Sequence, residues 1–284
     1  MNIPKYWAKQ IQQANDDRGR RFLFKCWQWS NLSQDDAAER AKIRARELLI
    51  KTQSGQLLDR YSYGERAMRE EIKEGISDGD GGEIGIITRN SYGCLVLNAA
   101  RAMFVDVDFE DRTTQSSGGV LNRLFGGKRR ESPEETGLRS VEEWAVRNPD
   151  FSLRVYRTFA GLRCLVTNDT FDPTSAESIG VMKALKADPL YINLCRNQQC
   201  FRARLTPKPW RIGASHPPTS YPWDDPTQET KYREWEEEYE LWAANFTACK
   251  LIGRFGKDDV HPDLAQLLTV HDNLACRDPN LPLA

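Results

Sequence analysis

The sequence lacks long apolar runs and carries almost no net charge, although it is 284 residues long. No stretch approaches the roughly 18 apolar residues that a membrane-spanning helix requires, and the polar beginning of the sequence has no signal-peptide core. We therefore expect a cytoplasmic protein with no membrane partner. Since the formal net charge is −1, any affinity for nucleic acid must come from local basic patches.

Histidine is scarce, and this limits the chemistry available to the chain. Only His216, His261 and His271 are present, so a serine or cysteine nucleophile has few possible bases, and no Gly-x-Ser-x-Gly elbow occurs. A hydrolase triad is therefore not expected. The sequence also has no Walker-type loop, internal repeat or heptad run.

The seven cysteines show neither a disulfide framework nor a zinc-finger pattern. Their number is odd and their spacing irregular, so reduced thiols are the expected state. Cys195 and Cys200, followed by His216, would make half of a zinc site, but no second Cys/His pair lies close in the sequence. Structural zinc is therefore not predicted.

Two carboxylates interrupt an apolar segment between Ala102 and Phe109. Asp106 and Asp108 are two residues apart, so in a strand they point to the same face and each disfavours the ionised form of the other. A divalent cation removes this conflict, and oxygen-only ligands favour Mg²⁺ or Mn²⁺ over zinc. We predict a metal site at the two aspartates; the alternative is a strand end at which Asp108 caps a loop.

A second informative segment, Leu153 to Thr167, predicts a strand, a tight turn at Ala160-Gly161 and another strand. Arg157, Thr158 and Arg163 would flank this turn, and Gly161 would let backbone amides approach a ligand. This combination suits the capture of a phosphate or carboxylate. A plain hairpin with exposed arginines is the alternative.

Basic residues recur after the second hairpin. Arg202 and Arg204 would share one face of a short strand, and Lys208 and Arg211 follow shortly after it. Together they predict an anion-binding wall, although an edge strand with protective charges would explain them as well. A polar insertion over residues 111–137 contains four more basic residues: Arg123, Lys128, Arg129 and Arg130. They could contact a polyanion, but a run of charges in a loop is more commonly exposed to solvent without a ligand.

The remaining pattern predicts an α+β fold with a mixed or antiparallel sheet, because apolar residues alternate with charged ones instead of forming continuous runs. We expect a mainly helical N-terminal segment over 1–80, a sheet core over 81–215 with a mobile insertion at 111–137, and a helical C-terminal segment over 216–284. In the first half of the chain we predict a strand over 22–29, a Ser33-capped helix over 35–50, an acidic turn over 75–82, and strands over 84–89, 94–98 and 103–109. The strands over 84–89 and 94–98 are expected to form a hairpin beside the strand that carries Asp106 and Asp108. In the second half we predict a helix over 140–148 and a helix from 228 to about 250 whose aromatic stripe faces the core.

The two motifs together resemble the palm of archaeo-eukaryotic primases and primase-polymerases. A strand ending in hydrophobic-Asp-hydrophobic-Asp is followed about fifty residues later by Thr158-x-x-Gly161-x-Arg163. In that family the first motif binds two metal ions and the second holds the phosphates of the incoming nucleotide, with a histidine where this chain has Arg163. The resemblance covers about residues 84–210, and it implies a third carboxylate on a later strand, for which Asp272 is our choice.

This resemblance implies a metal-dependent nucleotidyl or phosphoryl transferase that acts on nucleoside triphosphate and nucleic acid. Asp106 and Asp108 would hold Mg²⁺ or Mn²⁺, and Arg157, Thr158, Gly161 and Arg163 would cradle the triphosphate. Four basic residues would hold the nucleic-acid backbone: Arg202, Arg204, Lys208 and Arg211. Two alternatives remain open: a GT-A-type nucleotide-sugar glycosyltransferase, in which an Asp-x-Asp motif holds the metal, and a catalytically inactive nucleotide- or nucleic-acid-binding protein.

Overall fold

The computed structural model describes residues 1–15, 19–54, 67–109 and 132–284. Within these ranges the chain has the expected α+β architecture, and every strand pair in its sheets is antiparallel. The strands are β1 (Tyr6–Asn15), β2 (Arg21–Ser30), β3 (Glu71–Ser77), β4 (Glu83–Arg89), β5 (Leu95–Ala99), β6 (Phe104–Asp108), β7 (Leu153–Thr158), β8 (Gly161–Val166), β9 (Phe201–Arg204) and β10 (Cys249–Phe255). The α-helices are α1 (Gln34–Gln53), α2 (Pro133–Arg147), α3 (Ala176–Ala184), α4 (Pro189–Gln198), α5 (Pro226–Ala243) and α6 (Ala265–Ala275).

Three sheets organise the described strands. The first is the hairpin β1-β2, the second has the order β3-β4-β5-β9, and the third has the order β10-β7-β8-β6. None of the helices in the described ranges is long and apolar enough to cross a membrane.

The N-terminal segment is less helical than its sequence predicts. Helix α1 is confirmed, and the Ser33 hydroxyl caps it by accepting a hydrogen bond from the amide of Asp36. Strand β2 is confirmed as well, but the preceding strand β1 was not predicted. Its residues are rich in glutamine and lack an apolar alternation, and the strand forms because it pairs along its whole length with the aromatic strand β2.

The acidic turn and the hairpin after it are confirmed, but the hairpin belongs to a different sheet from the one predicted. Asp78 closes the turn between β3 and β4 by accepting hydrogen bonds from the amides of Asp80 and Gly82. The hairpin β4-β5 was expected beside the strand of Asp106 and lies in the other four-stranded sheet instead. Strand β5 pairs with β9 and β6 pairs with β8, and neither partner is adjacent in sequence.

The third sheet contains the predicted hairpin β7-β8 and one strand that the sequence did not indicate. The predicted C-terminal aromatic helix ends at Ala243 and not near Lys250. The chain then forms β10, which pairs with β7 although the two strands lie far apart along the chain. The C-terminal segment is therefore not only helical, because it supplies an edge strand to the sheet that carries Asp106.

The predicted insertion ends earlier than expected. Helix α2 starts at Pro133, where Ser132 and Glu135 form a capping box, so residues 133–137 are helical. The four basic residues of the insertion lie outside the described residues: Arg123, Lys128, Arg129 and Arg130.

The described residues form four buried apolar clusters, and the two largest support most of this architecture. The larger one contains the buried residues of β6, β7 and β8 together with residues of α2, α3, α4 and α6. The smaller one contains Tyr232, Trp235 and Tyr239 of α5, which confirms the prediction that this aromatic stripe faces a core. All seven cysteines are free thiols, and only Cys276 is not fully buried.

Candidate functional site

A cavity of about 830 Å³ opens between the two four-stranded sheets and collects most of the predicted site residues. Its wall includes residues of β6, β8 and β9, the start of α4, and the chain after β9. The predicted residues that line it are Asp106, Asp108, Thr158, Arg163, Arg202, Arg204, Lys208 and Arg211. Arg157, Gly161 and Asp272 are not part of the lining.

One wall of the cavity is acidic. Asp106 and Asp108 project from β6 as the period of the strand predicts, and Asp188 joins them from the N-cap of α4. Burial raises the pKa of Asp108, and the nearby charges of Asp106 and Asp188 raise it further. Three mutually repelling carboxylates therefore face one space, which is the electrostatic condition that a divalent cation relieves.

Asp188 is a functional candidate that the sequence reasoning missed. Its side chain caps α4 by accepting a hydrogen bond from the amide of Leu190 at 2.9 Å. An Asp-Pro pair at a helix start is a visible cap signal, but the cap signal does not indicate which cavity the residue faces. Only the packing of α4 against the sheets brings this carboxylate to Asp108.

Asp106 is held by an arginine on the neighbouring strand. Arg163 lies opposite Asp106 in the β6-β8 register, and its Nε and Nη2 donate to the two carboxylate oxygens at 2.8 and 3.3 Å. The arginine side chain is only 2% exposed, whereas that of Asp106 is 36% exposed. The carboxylate of Asp106 therefore keeps one side open to the cavity while its charge is balanced from the other side.

Arg163 is not arranged as the free phosphate ligand that its sequence position suggests. Beyond the pair with Asp106, its Nη1 donates to the carbonyl of Arg204 at 2.8 Å and lies 3.4 Å from Nε2 of His271. All three of its guanidinium nitrogens therefore already have protein partners. The structure places Arg163 as a support for Asp106 beneath the cavity.

The opposite wall is basic. Burial lowers the pKa of Lys208, and the positive charges of Arg211 and Arg204 lower it further; burial and Arg204 act in the same direction on Arg211. Among the described residues, neither Lys208 nor Arg211 forms an ion pair with a carboxylate. Lys208 lies over the ring of Trp210 at 5.3 Å, and Arg211 lies over the ring of Phe159 at 4.2 Å. This wall therefore presents mutually repelling cations that an anion would neutralise.

Arg202 lines the cavity but is committed to a buried network. Its Nη2 donates to both carboxylate oxygens of Glu70 at 2.7 and 2.9 Å, and its Nη1 donates to Asn98 at 2.6 Å. The Thr88 hydroxyl also donates to Glu70. Because these groups are satisfied within the protein, Arg202 belongs to the scaffold of the cavity more than to its ligand-binding surface.

Of the predicted phosphate-binding residues next to the β7-β8 turn, Thr158 lines the cavity and Arg157 and Gly161 do not. Thr158 reaches the cavity, but the guanidinium of Arg157 pairs with Glu134, donates to the carbonyl of Gly161 at 3.2 Å and lies over the ring of Phe109. Gly161 serves the contact between strands, since a Cβ there would lie 2.1 Å from the carbonyl oxygen of Val107. The glycine is required by strand packing and not by an open ligand space.

Asp272 does not join Asp106 and Asp108. It accepts hydrogen bonds from the Tyr156 hydroxyl at 2.8 Å and from Arg154 at 3.2 Å, and it lies 2.9 Å from Nδ1 of His271. Arg163 and His271 lie between it and Asp106. Asp188, and not Asp272, lines the cavity with the predicted pair.

Comparisons with protein-family models, with curated proteins and with solved structures found no match to this chain. The function of the cavity must therefore be argued from its own residues.

The chemistry that the cavity permits follows from its two walls. An acidic wall of oxygen ligands suits a hard divalent cation, and a basic wall of Arg204, Lys208 and Arg211 suits a polyanion. A ligand that carries phosphates and a bound divalent cation would satisfy both walls at once. The volume of about 830 Å³ falls within the range usual for small-molecule sites, so a nucleotide is a suitable size.

Proposed function

We propose that this chain is a metal-dependent nucleotidyl or phosphoryl transferase that uses a nucleoside triphosphate and acts on nucleic acid. The observation that carries the proposal is the pairing of walls in one cavity: carboxylates on β6 and α4 face Lys208 and Arg211, which form no ion pair with a carboxylate among the described residues. The charge of Asp108 reaches both cations and offsets their repulsion in part. A ligand that brings a cation to one wall and phosphates to the other would balance both sets of charges more fully.

The residues present fit a magnesium or manganese ion. Asp106, Asp108 and Asp188 offer oxygen ligands only. Burial and the charges of Asp106 and Asp188 raise the pKa of Asp108, and the charges of Lys208 and Arg211 offset this rise in part. When bound, such an ion supplies charge neutralisation for the phosphates and activates an attacking hydroxyl. Arg163 contributes by holding the carboxylate of Asp106 in place from the buried side.

The phosphates would lie against Arg204, Lys208 and Arg211. Nη1 of Arg204 donates to the carbonyl oxygens of Thr206 and Ala284, and the other guanidinium nitrogens form no hydrogen bond with the described residues, so they can donate to a ligand. Lys208 and Arg211 are steadied by the aromatic rings beside them, which limits the entropy that binding would cost. The nucleic acid strand would approach from the open side of this basic wall.

A second candidate is a nucleotide-binding protein without catalytic activity. It is favoured by the ion pair between Asp106 and Arg163, since a carboxylate whose charge is already balanced binds a cation less strongly than a free one. In that case Asp108 and Asp188 would hold one cation with the nucleotide, and no group would be transferred.

Calorimetric titration of Mn²⁺ into the protein, with and without nucleoside triphosphate, tests the proposal. Asp108→Asn should weaken Mn²⁺ binding by at least about tenfold, because it removes a charged ligand from the acidic wall. Asp80→Asn makes the same charge change in an exposed turn and should leave binding unchanged. Lys208→Gln should weaken triphosphate binding, whereas Lys183→Gln, at an exposed position of α3, should not.

Primer-extension and nucleotide-transfer assays then separate the candidates. Metal-dependent incorporation of nucleotide that Asp108→Asn abolishes supports the transferase. Metal-dependent binding without incorporation supports the inactive binding protein, and binding that requires a nucleotide sugar would support the glycosyltransferase alternative. If the folded protein binds neither Mn²⁺ nor triphosphate, the cavity does not have the proposed function.

A further inference from the structure

Two thiols and an imidazole meet outside the candidate cavity, where the start of β10 approaches the end of α6. The Sγ atom of Cys249 lies 3.3 Å from Sγ of Cys276 and 3.9 Å from Nε2 of His271. Cys249 and His271 are fully buried, and Cys276 is partly exposed. The two cysteines are 27 residues apart and form no Cys-x-x-Cys pattern, so their spacing in the sequence does not reveal the group.

The imidazole of His271 is oriented toward the thiols by its other nitrogen. Nδ1 lies 2.9 Å from Oδ1 of Asp272, and an ionised carboxylate only accepts hydrogen bonds, so Nδ1 carries the hydrogen. Asp272 is fixed in turn by the Tyr156 hydroxyl and by Arg154. In the neutral imidazole Nε2 then carries the lone pair, and this nitrogen lies 3.9 Å from Sγ of Cys249 and 3.4 Å from Nη1 of Arg163. A carboxylate behind a histidine is the usual support for a metal-binding imidazole.

We propose that Cys249, Cys276 and His271 form a binding site for a borderline-soft divalent cation, with Zn²⁺ as the best match. Zinc bonds of about 2.3 Å to sulfur and about 2.0 Å to nitrogen, in a tetrahedral arrangement, place two sulfur ligands roughly 3.8 Å apart and sulfur and nitrogen roughly 3.5 Å apart. The separations of 3.3 and 3.9 Å lie close to these values on either side.

Asp272 is close enough to serve either as the support of His271 or as a further ligand. A ring nitrogen of His271, a carboxylate oxygen of Asp272 and Sγ of Cys276 all lie within 4.8 Å of one another. Its oxygens already accept three hydrogen bonds, so the supporting role matches the contacts better. The ligand set thus contains two sulfurs and one nitrogen, which separates it chemically from the oxygen-only cavity.

Arg163 is the cation that faces the imidazole, since its Nη1 lies 3.4 Å from Nε2. That contact is long, and Nη1 has a shorter hydrogen bond to the carbonyl of Arg204, so Arg163 can release Nε2 without losing all its partners.

A cation here would join two parts of the chain that are packed but not covalently linked. The amide of Ala248 already donates to the carbonyl of Ala275, which sets the end of α6 beside the start of β10. A metal bound to Cys249 and Cys276 would fasten the same junction through side chains. Binding to the folded state alone stabilises it, so removing the cation should lower the midpoint of thermal unfolding.

Cobalt substitution tests the site with a readout that does not depend on activity. The full chain, without a histidine tag and kept reduced, is stripped with a chelator and titrated with Co²⁺. One equivalent should produce the sulfur-to-cobalt charge-transfer absorption that only thiolate ligands give, and Zn²⁺ should then displace it. Zinc loading should also protect two thiols from a thiol-specific reagent.

Matched variants complete the experiment. Cys276→Ser removes the partly exposed ligand and should abolish or strongly reduce the charge-transfer absorption, whereas Cys26→Ser changes a buried cysteine on β2 and should leave it intact. If the wild-type protein binds no Co²⁺ or Zn²⁺, binds them without thiolate absorption, or proves to hold a Cys249–Cys276 disulfide under these reducing conditions, the proposal is overturned. Because the absorption requires sulfur, its loss is distinguishable from failure of the carboxylate site.

Discussion

Replacing Arg202 with methionine should destabilise the fold, although this residue was expected to contact nucleic acid. The side chains of Arg202 and Glu70 are 7% and 2% exposed, and they form an ion pair inside the wall of the cavity in which Nη2 of Arg202 donates to both carboxylate oxygens. Methionine keeps much of the volume but removes the positive charge. Among the described residues, the carboxylate of Glu70 would then keep the Thr88 hydroxyl as its one hydrogen-bond donor while remaining buried.

The expected loss of stability is about 3–4 kcal/mol at pH 7. Removing one partner of a buried ion pair costs about 3–5 kcal/mol. The stranded side chain can escape part of this cost by taking up a proton. For an ordinary glutamate that uptake costs about 1.36 kcal/mol per pH unit, or about 4 kcal/mol at pH 7 and about 1 kcal/mol at pH 5. The destabilisation of Arg202→Met should therefore grow as the pH rises from 5 to 7.

Urea unfolding of the wild type and of Arg202→Met at pH 5 and pH 7 measures this effect. Arg196→Met, on the exposed face of α4, provides the control and should change the free energy of unfolding by less than about 0.5 kcal/mol. Adding Glu70→Leu to Arg202→Met should recover part of the loss, because no buried charge then remains unpaired. A loss equal to that of Arg196→Met, or one that does not depend on pH, would refute the reasoning.

Three further predictions concern the strands, a helix cap and the basic wall. A Cβ at Gly161 would lie 2.1 Å from the carbonyl oxygen of Val107, so Gly161→Ala should destabilise the fold by about 3 kcal/mol, and an unchanged urea midpoint would contradict this. Ser132→Ala removes the capping box of α2 and should cost about 1 kcal/mol, seen as faster amide exchange in the first turn of that helix. Burial and the charge of Arg211 lower the pKa of Lys208, so its ammonium group loses its proton at a lower pH than an ordinary lysine. Affinity for inorganic triphosphate should therefore decrease as the pH rises through the lowered pKa of Lys208, and Lys208→Arg should remove this dependence.

Local signals in the sequence were sufficient for several elements. The cap of α1, the acidic turn after β3 and the hairpin β7-β8 each depend on residues that are neighbours along the chain, and all three are present. Strands β1 and β10 were missed for the opposite reason. Both lack a clear alternation of their own and form because they pair with another strand, which in the case of β10 is far away in sequence.

The candidate site shows the same division between local and distant information. The pairing of Asp106 with Asp108 on one strand face follows from the two-residue period of a strand, so the sequence was enough to predict it. The roles of Arg163 and Arg202 depend on what lies opposite them. Strand and loop packing places both buried arginines next to carboxylates, and each is thereby removed from the set of free anion ligands.

The sequence by itself determined the α+β class, the local hairpins and caps, and the presence of paired carboxylates and clustered cations. Those properties depend on periodicity, turn chemistry and charge over short distances along the chain. Only the tertiary structure decided that Asp188 joins the carboxylates, that Asp272 lies beyond His271, and that Cys249 meets Cys276. Contacts between residues far apart in sequence arise from the packing of whole elements, and a side chain's type and neighbours along the chain do not specify which distant group it will face.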